Sequence, residues 1–157
     1  MTYPERVVVD TNVLIVANGK ADHASDRCVI GAVDFLEHAR SDSVVVLDSL
    51  GLISDEYQRY CSYRGQPGVG DYFFLHLHRM QGTRHVHLVD ISPDGDGSYL
   101  EVPSALRGFD PSDQKFIAAV VADDYRSTIV NCVDSDWREA EDALLEAKIL
   151  VHQVCER

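Results

Sequence analysis

Basic charge is scarce in this chain of 157 residues. Three lysines and eleven arginines stand against eighteen aspartates and eight glutamates, and the formal net charge is −12. This balance argues against a polyanionic partner such as nucleic acid, because affinity for nucleic acid usually comes from neutralising phosphates. Hydrophobic residues make up 45% and charged residues 25% of the chain, which excludes a disordered or coiled-coil protein.

Cysteine occurs only four times, without a C-x-x-C pair, which excludes the common thiolate metal sites and dithiol motifs. Cys28, Cys132 and Cys155 lie among apolar residues, so we expect buried, reduced thiols in a cytoplasmic protein. The chain opens with neither a basic leader nor a long apolar run, and no apolar run approaches twenty residues. We therefore expect neither an export signal nor a membrane partner.

Short β-branched runs, each followed by an aspartate, recur along the chain. They cover residues 7–9, 44–47, 85–89 and 128–133, and a last run at 148–154 predicts an edge strand. Stretches of helical length lie around them, at 25–40, 50–62, 71–80, 111–125 and 136–146. Such an alternation predicts an α/β fold, a three-layer α/β/α sandwich with a central, mainly parallel sheet. Because the glycine- and proline-rich segments at 64–70 and 92–108 are too short to link domains, we expect a single domain over residues 1–157.

Asp10, Asp48, Asp90 and Asp134 occupy the carboxyl ends of the predicted strands, where parallel α/β folds bind their ligands. For any one of them the alternative is a helix N-cap. That alternative suits Asp48, and Asp90 is interpreted as a loop acid. Thr11 can cap the segment after Asp10, which would leave the Asp10 carboxylate free.

Asp134 and Asp136 lie two residues apart after the fourth strand. Two carboxylates on one turn can converge on a cation, and without one their repulsion is costly. The alternative for Asp136 is to cap a helix that begins at Trp137.

Helical spacing predicts which acids of the helices face inward. Glu56 shares a face with Ile53 and Tyr60, so it lies on the apolar side of its helix. Asp55 shares a face with Arg59 and is predicted to form a solvated ion pair.

Asp113 precedes Phe116 and Ile117 by three and four residues, which places it on the buried stripe of its helix. The alternative interpretation is a helix capped by Asp110 with Pro111 at its first position, where an acid is favoured by the helix dipole alone.

The predicted fold brings four of these acids toward one edge of the sheet, and no basic residue nearby in sequence is placed to pair them. A buried carboxylate must be neutralised, paired or metal-bound. Oxygen ligands without histidine or cysteine favour Mg²⁺ or Mn²⁺. The four are Asp10, Glu56, Asp113 and Asp134.

In this order, the acidic motifs resemble those of the PIN-domain nucleases, over residues 7 to about 150. The motifs are Val7-Val8-Val9-Asp10-Thr11-Asn12-Val13-Leu14, Ile53-Ser54-Asp55-Glu56-Tyr57, Pro111-Ser112-Asp113-Gln114-Lys115-Phe116-Ile117-Ala118 and Val133-Asp134-Ser135-Asp136-Trp137. The resemblance implies that Asp10, Glu56, Asp113 and Asp134 are catalytic and bind Mg²⁺ or Mn²⁺. It also implies that Asp136 is an auxiliary metal ligand, with Thr11, Asn12 and Ser135 in support.

The resemblance implies an endoribonuclease that hydrolyses RNA phosphodiester bonds. Some members of the family are toxins held by a small antitoxin protein, and the sequence leaves open both that partner and a homodimer. Two alternatives are a silent domain that binds RNA or protein on the same fold, and a phosphatase with Asp10 as nucleophile. Asn12 stands where such a phosphatase usually has a second aspartate.

The acidity of the chain is uneven. Residues 57–88 carry four arginines and one acid, a local charge of +3 that leaves −15 for the remainder. The arginines, interleaved with tyrosines and phenylalanines, suit single-stranded RNA, which needs phosphate contacts and stacking. The alternative is that Tyr60, Phe73 and Phe74 belong to the core. Because the remainder of the chain is so acidic, we expect weak, salt-sensitive RNA binding on one face, or help from a basic partner. The predicted nucleic-acid-binding residues are Arg59, Arg64, Arg79 and Arg84.

Overall fold

Five parallel strands form the centre of the computed structural model, which describes residues 2–155. The strands are β1 (Arg6–Val9), β2 (Val44–Asp48), β3 (Val86–Val89), β4 (Thr128–Asn131) and β5 (Val151–Gln153). Their spatial order is β3-β2-β1-β4-β5, with every neighbouring pair parallel. The predicted α/β sandwich is confirmed, with β5 as the edge strand. The order of strands reverses between β1 and β4, the place where such sheets form a ligand crevice.

Seven α-helices and a short 3₁₀ turn flank the sheet in the described part of the chain. They are α1 (Thr11–Ala17), α2 (Asp26–Asp42), α3 (Leu52–Tyr60), α4 (Val69–Arg79), the 3₁₀ turn (Ser104–Leu106), α5 (Gln114–Ala122), α6 (Ser135–Glu139) and α7 (Glu141–Glu146). Helix α1 lies outside the helical stretches predicted from the sequence. The predicted stretch 136–146 is two helices, α6 and α7, separated by Ala140. Among residues 2–155, no helix combines the length and apolar character that crossing a membrane requires.

The core consists of the central strands and the helix faces that cover them. Val7, Val8, Val9, Val45 and Val46 are fully buried, as expected for strands of a parallel sheet covered on both faces. The apolar helix α5 packs on β1, β2 and β4. This packing holds the amino end of α5 near the carboxyl ends of β1 and β4.

Tyr57 connects α3 to the end of β1. Its side chain is fully buried, and its hydroxyl donates a hydrogen bond to the carbonyl oxygen of Val9. We expect Tyr57→Phe to lower the free energy of unfolding by about 1–2 kcal/mol, because the change leaves a buried acceptor without its donor. Urea denaturation measures the loss. Tyr60→Phe on the same helix is the control, since Tyr60 is 50% exposed; equal stability of the two variants would contradict the prediction.

The prediction of reduced thiols is wrong for two of the three cysteines. Cys28 and Cys155 form a disulfide with 4.9 Å between their Cα atoms, whereas Cys61 and Cys132 are free and buried. The two bonded cysteines lie 127 residues apart in sequence. Apolar neighbours predicted their burial correctly, but only the packing of α2 against the end of β5 brings them within bonding distance.

Candidate metal centre

Three carboxylates converge at the carboxyl edge of the sheet. Asp10, Asp113 and Asp134 each offer an oxygen, and these oxygens lie within 4.8 Å of one another. Asp10 follows β1 directly, Asp134 follows β4 after two residues, and Asp113 precedes α5. The cluster therefore lies at the carboxyl edge of the sheet, as the sequence predicted for these three acids, and the strand order reverses at the same point.

Asp10 is fixed by neutral donors on both oxygens. Its Oδ1 accepts hydrogen bonds from the backbone N–H and the side-chain Nδ2 of Asn12, at 2.8 and 2.7 Å. Its Oδ2 accepts a 2.7 Å hydrogen bond from Nε1 of Trp137. Asp10 is itself the N-cap of α1, so the expectation that Thr11 caps this helix is wrong. The Thr11 hydroxyl instead donates to Glu56.

Asn12 joins the ends of the two central strands. Besides binding Asp10, its Nδ2 donates to Oδ1 of Asn131 at 2.9 Å. Its Oδ1 accepts hydrogen bonds from the backbone N–H groups of Cys132 and Val133, at 3.0 and 3.1 Å. The side chain thereby fixes the turn that carries Asp134 relative to the end of β1.

Asp134 is the N-cap of α6, where its Oδ1 accepts a 2.9 Å hydrogen bond from the backbone N–H of Asp136. The interpretation of Asp136 as the cap is therefore wrong, because α6 begins at Ser135, two residues before the expected start at Trp137. Ser135 is the exposed first residue of this helix. Asp136 instead forms a second group of converging acids with Asp110 and Asp113.

A groove of about 410 Å³ opens beside this second group. Its lining includes Phe109, Asp110, Asp136 and Glu139. The second group of acids is thus open to solvent through a groove whose charged lining residues are negative.

Asp113 differs from Asp10 and Asp134 because nothing in residues 2–155 donates a hydrogen bond to its side chain. It occupies the N-cap position of α5 without capping it, and it is only 9% exposed. The predicted helix is present as α5, but its predicted start at residue 111 is wrong, because Asp110 to Asp113 form a turn before α5. The expected cap at Asp110 accordingly binds the N–H and hydroxyl of Ser112 instead.

Burial and mutual repulsion act strongly on the pKa values of this cluster. Burial first, and then the charges of Asp10 and Asp134, raise the pKa of Asp113 to about 8. Burial raises the pKa of Asp10 to about 6 against the opposing effect of its hydrogen bonds. The charge of Asp134 is the largest cause of a raised pKa at Asp136. Full ionisation of the cluster is therefore unfavourable unless a cation is present.

Glu56, the fourth acid predicted for this site, is not among the carboxylates that converge within residues 2–155, and it has partners of its own. It accepts a 2.7 Å hydrogen bond from Nζ of Lys115, which also donates to the carbonyl oxygen of Ser112. The side chains of Lys115 and Glu56 are only 10% and 16% exposed. The expectation that no nearby basic residue pairs these acids is thus wrong, since Lys115 lies two residues after Asp113 and pairs with the acid of another helix.

Sequence reasoning also missed Asn131 and Trp137 as parts of the site. Asn131 is fully buried at the end of β4. Its polar side chain interrupts the apolar run 128–133, and this interruption could have indicated a residue of the site. Trp137 is the only tryptophan of the chain and is fully buried. A buried indole N–H usually has a hydrogen-bond acceptor, and here that acceptor is Asp10.

The four arginines predicted to bind nucleic acid are exposed but not gathered together. Arg59 ends α3 near Tyr60, and Arg64 lies in the loop that follows. Arg79 ends α4 and Arg84 precedes β3, so both lie toward the amino edge of the sheet, away from the acids. Among the aromatic residues of this segment, the core contains Tyr57, Phe73 and Phe74, whereas Tyr60, Tyr63 and Tyr72 are exposed.

Three carboxylates without a pairing cation form a donor set that fits a hard divalent ion such as Mg²⁺ or Mn²⁺. Within residues 2–155, no ion pair involves Asp10, Asp113 or Asp134. The two groups of converging side chains found there consist of aspartates and contain no histidine. Comparisons of the chain with family models, with curated proteins and with solved structures found no match.

Proposed function

We propose that this protein is a divalent-metal-dependent endoribonuclease of the PIN type. The observation that carries the proposal is the Asp113 carboxylate, which is nine-tenths buried, faces Asp10 and Asp134, and has no donor in the described chain. A carboxylate in that position is costly unless protonated or bound to a cation. Lys115 does not fill this role because its ammonium group contacts Glu56 and Ser112.

Asp10, Asp113 and Asp134 would hold the ion. Asp113 also converges with Asp136 in the second group of acids, which places Asp136 close to the same site. A divalent cation bound there would lower the pKa of a water and neutralise charge on phosphate oxygens. Asn12 and Trp137 orient Asp10 by binding both of its oxygens. Thr11 and Lys115 each bind one oxygen of Glu56, which fixes this side chain between α1 and α5.

The contacts of Asp10 favour hydrolysis by water over a phosphatase with Asp10 as nucleophile. Both oxygens of Asp10 already accept hydrogen bonds, and the residue is 4% exposed. An attacking carboxylate needs a free oxygen directed at phosphorus. Asp10 is therefore assigned to cation binding.

Single-stranded RNA is the proposed substrate because arginine and exposed tyrosine occur together on and after α3. Arg59 and Tyr60 end the helix that carries Glu56, and Tyr63 and Arg64 lie in the loop that follows it. Such side chains offer phosphate contacts and stacking. The net charge of −12 opposes any broader contact with RNA, so binding is confined to this region and weakens with salt.

The test is incubation of the purified protein with a mixture of single-stranded and structured RNAs in Mn²⁺ or Mg²⁺, with EDTA as the control. We expect internal cleavage with either ion and none in EDTA. Calorimetry with Mn²⁺ alone is expected to detect binding that strengthens from pH 6 to pH 8, because protons leave Asp10 and Asp113 over that range. A protein that binds RNA but neither binds Mn²⁺ nor cleaves would be the silent domain, and the proposal would be wrong.

A further inference from the structure

We propose that Gln153 is a positioning residue for the acidic cluster, held in place by the Cys28–Cys155 disulfide, so that reduction of this bond weakens cation binding. The proposal rests on the cation site of the proposed function but not on RNA as its substrate. It concerns β5, the strand farthest along the sheet from β3, which pairs on one side only, with β4.

A covalent bond fixes the end of β5 to α2. Cys28 lies in the first turns of α2 and Cys155 lies two residues after β5, and both are buried. The helix approaches this segment closely because Gly31 has no side chain: a Cβ atom there would lie 3.0 Å from the carbonyl oxygen of Val154. The position of α2 therefore sets the position of Gln153, two residues before the bonded cysteine.

Gln153 binds the amide that supports the acids. Its Oε1 accepts a 2.7 Å hydrogen bond from Nδ2 of Asn131, the residue opposite it in the pairing of β4 with β5. The buried Nε2 of Gln153 has no hydrogen-bond partner among the described residues. The orientation of the Gln153 amide thus depends on Asn131 and on the placement of β5.

Asn131 in turn contacts both sides of the acidic cluster. Its Oδ1 accepts hydrogen bonds from Nδ2 of Asn12 at 2.9 Å and from the backbone N–H of Asp134 at 3.2 Å. Its Nδ2 also donates to the carbonyl oxygen of Asp134 at 2.9 Å. Because Asn12 binds Asp10 directly, a change at Gln153 alters the supports of two acids at once.

A second contact joins the disulfide to the same site. Arg138 donates a hydrogen bond to the carbonyl oxygen of Cys155, and the preceding residue, Trp137, donates to Oδ2 of Asp10 at 2.7 Å. The end of β5 is therefore connected to Asp10 through α6 as well as through β4. Side chains that orient metal ligands typically affect metal affinity 10- to 100-fold when they are lost.

The redox step is a two-electron exchange with an external dithiol. The dithiol gives up two electrons and two protons and becomes a disulfide, and the sulfur–sulfur bond between Cys28 and Cys155 opens to two thiols. The end of β5 then keeps only its noncovalent contacts, and a three-residue edge strand frays readily. Gln153 is released with it.

The experiment compares the Mn²⁺ affinity of the oxidised and dithiothreitol-reduced protein by calorimetry at one pH, after removal of the reductant. We expect reduction to weaken binding about tenfold. Gln153→Leu, which keeps the disulfide, is expected to weaken Mn²⁺ binding about tenfold relative to the oxidised unaltered protein. Its Mn²⁺ affinity should then be the same whether the disulfide is oxidised or reduced. The double variant Cys28→Ser/Cys155→Ser is expected to match the reduced protein, and Cys61→Ser, which changes a free buried thiol, should respond to reduction like the unaltered chain.

Trp137 provides a readout that needs neither metal nor RNA, since it is the only tryptophan and binds Asp10. We expect reduction to increase acrylamide quenching of its fluorescence, and Gln153→Leu to show the increased quenching in both redox states. Identical quenching of the oxidised, reduced and Gln153→Leu proteins overturns the proposal. Alkylation of all four cysteines in the folded, oxidised protein also overturns it, because it would show that Cys28 and Cys155 are not bonded. If Mn²⁺ binding depends on the redox state but RNA is not cleaved, the proposed substrate is wrong. The role of Gln153 and the disulfide in cation binding would still be supported.

Discussion

Asp113→Asn is expected to reduce Mn²⁺-dependent RNA cleavage by about 10³-fold or more, because under the proposed function it removes a charged ligand whose contribution is several kcal/mol. The change keeps the shape of the side chain and breaks no hydrogen bond in residues 2–155. It is therefore a cleaner test of the site than Asp10→Asn, which would also place an amide donor opposite Trp137 or Asn12. Cleavage rates and Mn²⁺ calorimetry measure the loss.

The same variant is expected to be more stable than the unaltered protein at high pH. The folded protein holds a proton on Asp113 up to pH about 8, whereas the unfolded chain releases it near the ordinary value of 3.8. Stability of the unaltered protein consequently falls as pH rises through this window, and asparagine removes that loss. In EDTA we expect a gain of about 5 kcal/mol at pH 8 and almost none at pH 4, because each unit of raised pKa corresponds to about 1.4 kcal/mol.

Asp142→Asn on the exposed surface of α7 is the matched control for both measurements. It also removes one negative charge but lies outside the acidic groups. Full cleavage activity of Asp113→Asn would refute the site, and a loss of stability at pH 8 would refute the repulsion inferred for Asp113.

Lys115→Met is expected to lower the free energy of unfolding by about 3 kcal/mol, because removal of one member of a buried ion pair leaves the other charge unpaired. The pair joins α5 to α3 through the 2.7 Å contact with Glu56. Lys20→Met is the control, since Lys20 is exposed and in none of the described ion pairs. Urea denaturation in EDTA at pH 7 measures all three proteins.

A double-mutant cycle separates the ion pair from the packing of the lysine stem. Adding Glu56→Gln to Lys115→Met removes the unpaired charge, so we expect the double variant to regain most of the lost stability. Additive losses in the cycle would contradict the pairing. The cycle also tests whether Glu56 binds the cation. If its carboxylate binds Mn²⁺ directly, calorimetry will detect Mn²⁺ binding to Lys115→Met that is lost when Glu56→Gln is added.

Strand ends and the acids that follow them were the predictable part of this site. Continuous apolar runs before Asp10 and Asp134 indicate strands buried on both faces, and parallel strands bring their carboxyl ends to one edge. Asp113 was placed correctly because Phe116 and Ile117 fix the buried face of α5. These inferences need only the local period of hydrophobic residues and one rule of topology.

The helix starts were less predictable, since several acids near one another compete to cap the same backbone N–H groups. Asp10 rather than Thr11 caps α1, and Asp134 rather than Asp136 caps α6. Either member of each pair satisfies the local preference. The choice depends on how the strand before it enters the sheet, which is a tertiary matter.

The sequence by itself determined the α/β architecture and the edge of the sheet at which the acids gather, because both follow from local patterns of burial. Only the tertiary structure decided that Lys115 neutralises Glu56, that Asp113 has no donor within residues 2–155, and that Cys28 meets Cys155. Each of these depends on contacts between segments far apart in the chain, whose distance no local pattern encodes. The acidic excess of the chain therefore contains two kinds of carboxylate, those with a partner in the fold and those whose partner we propose is a cation.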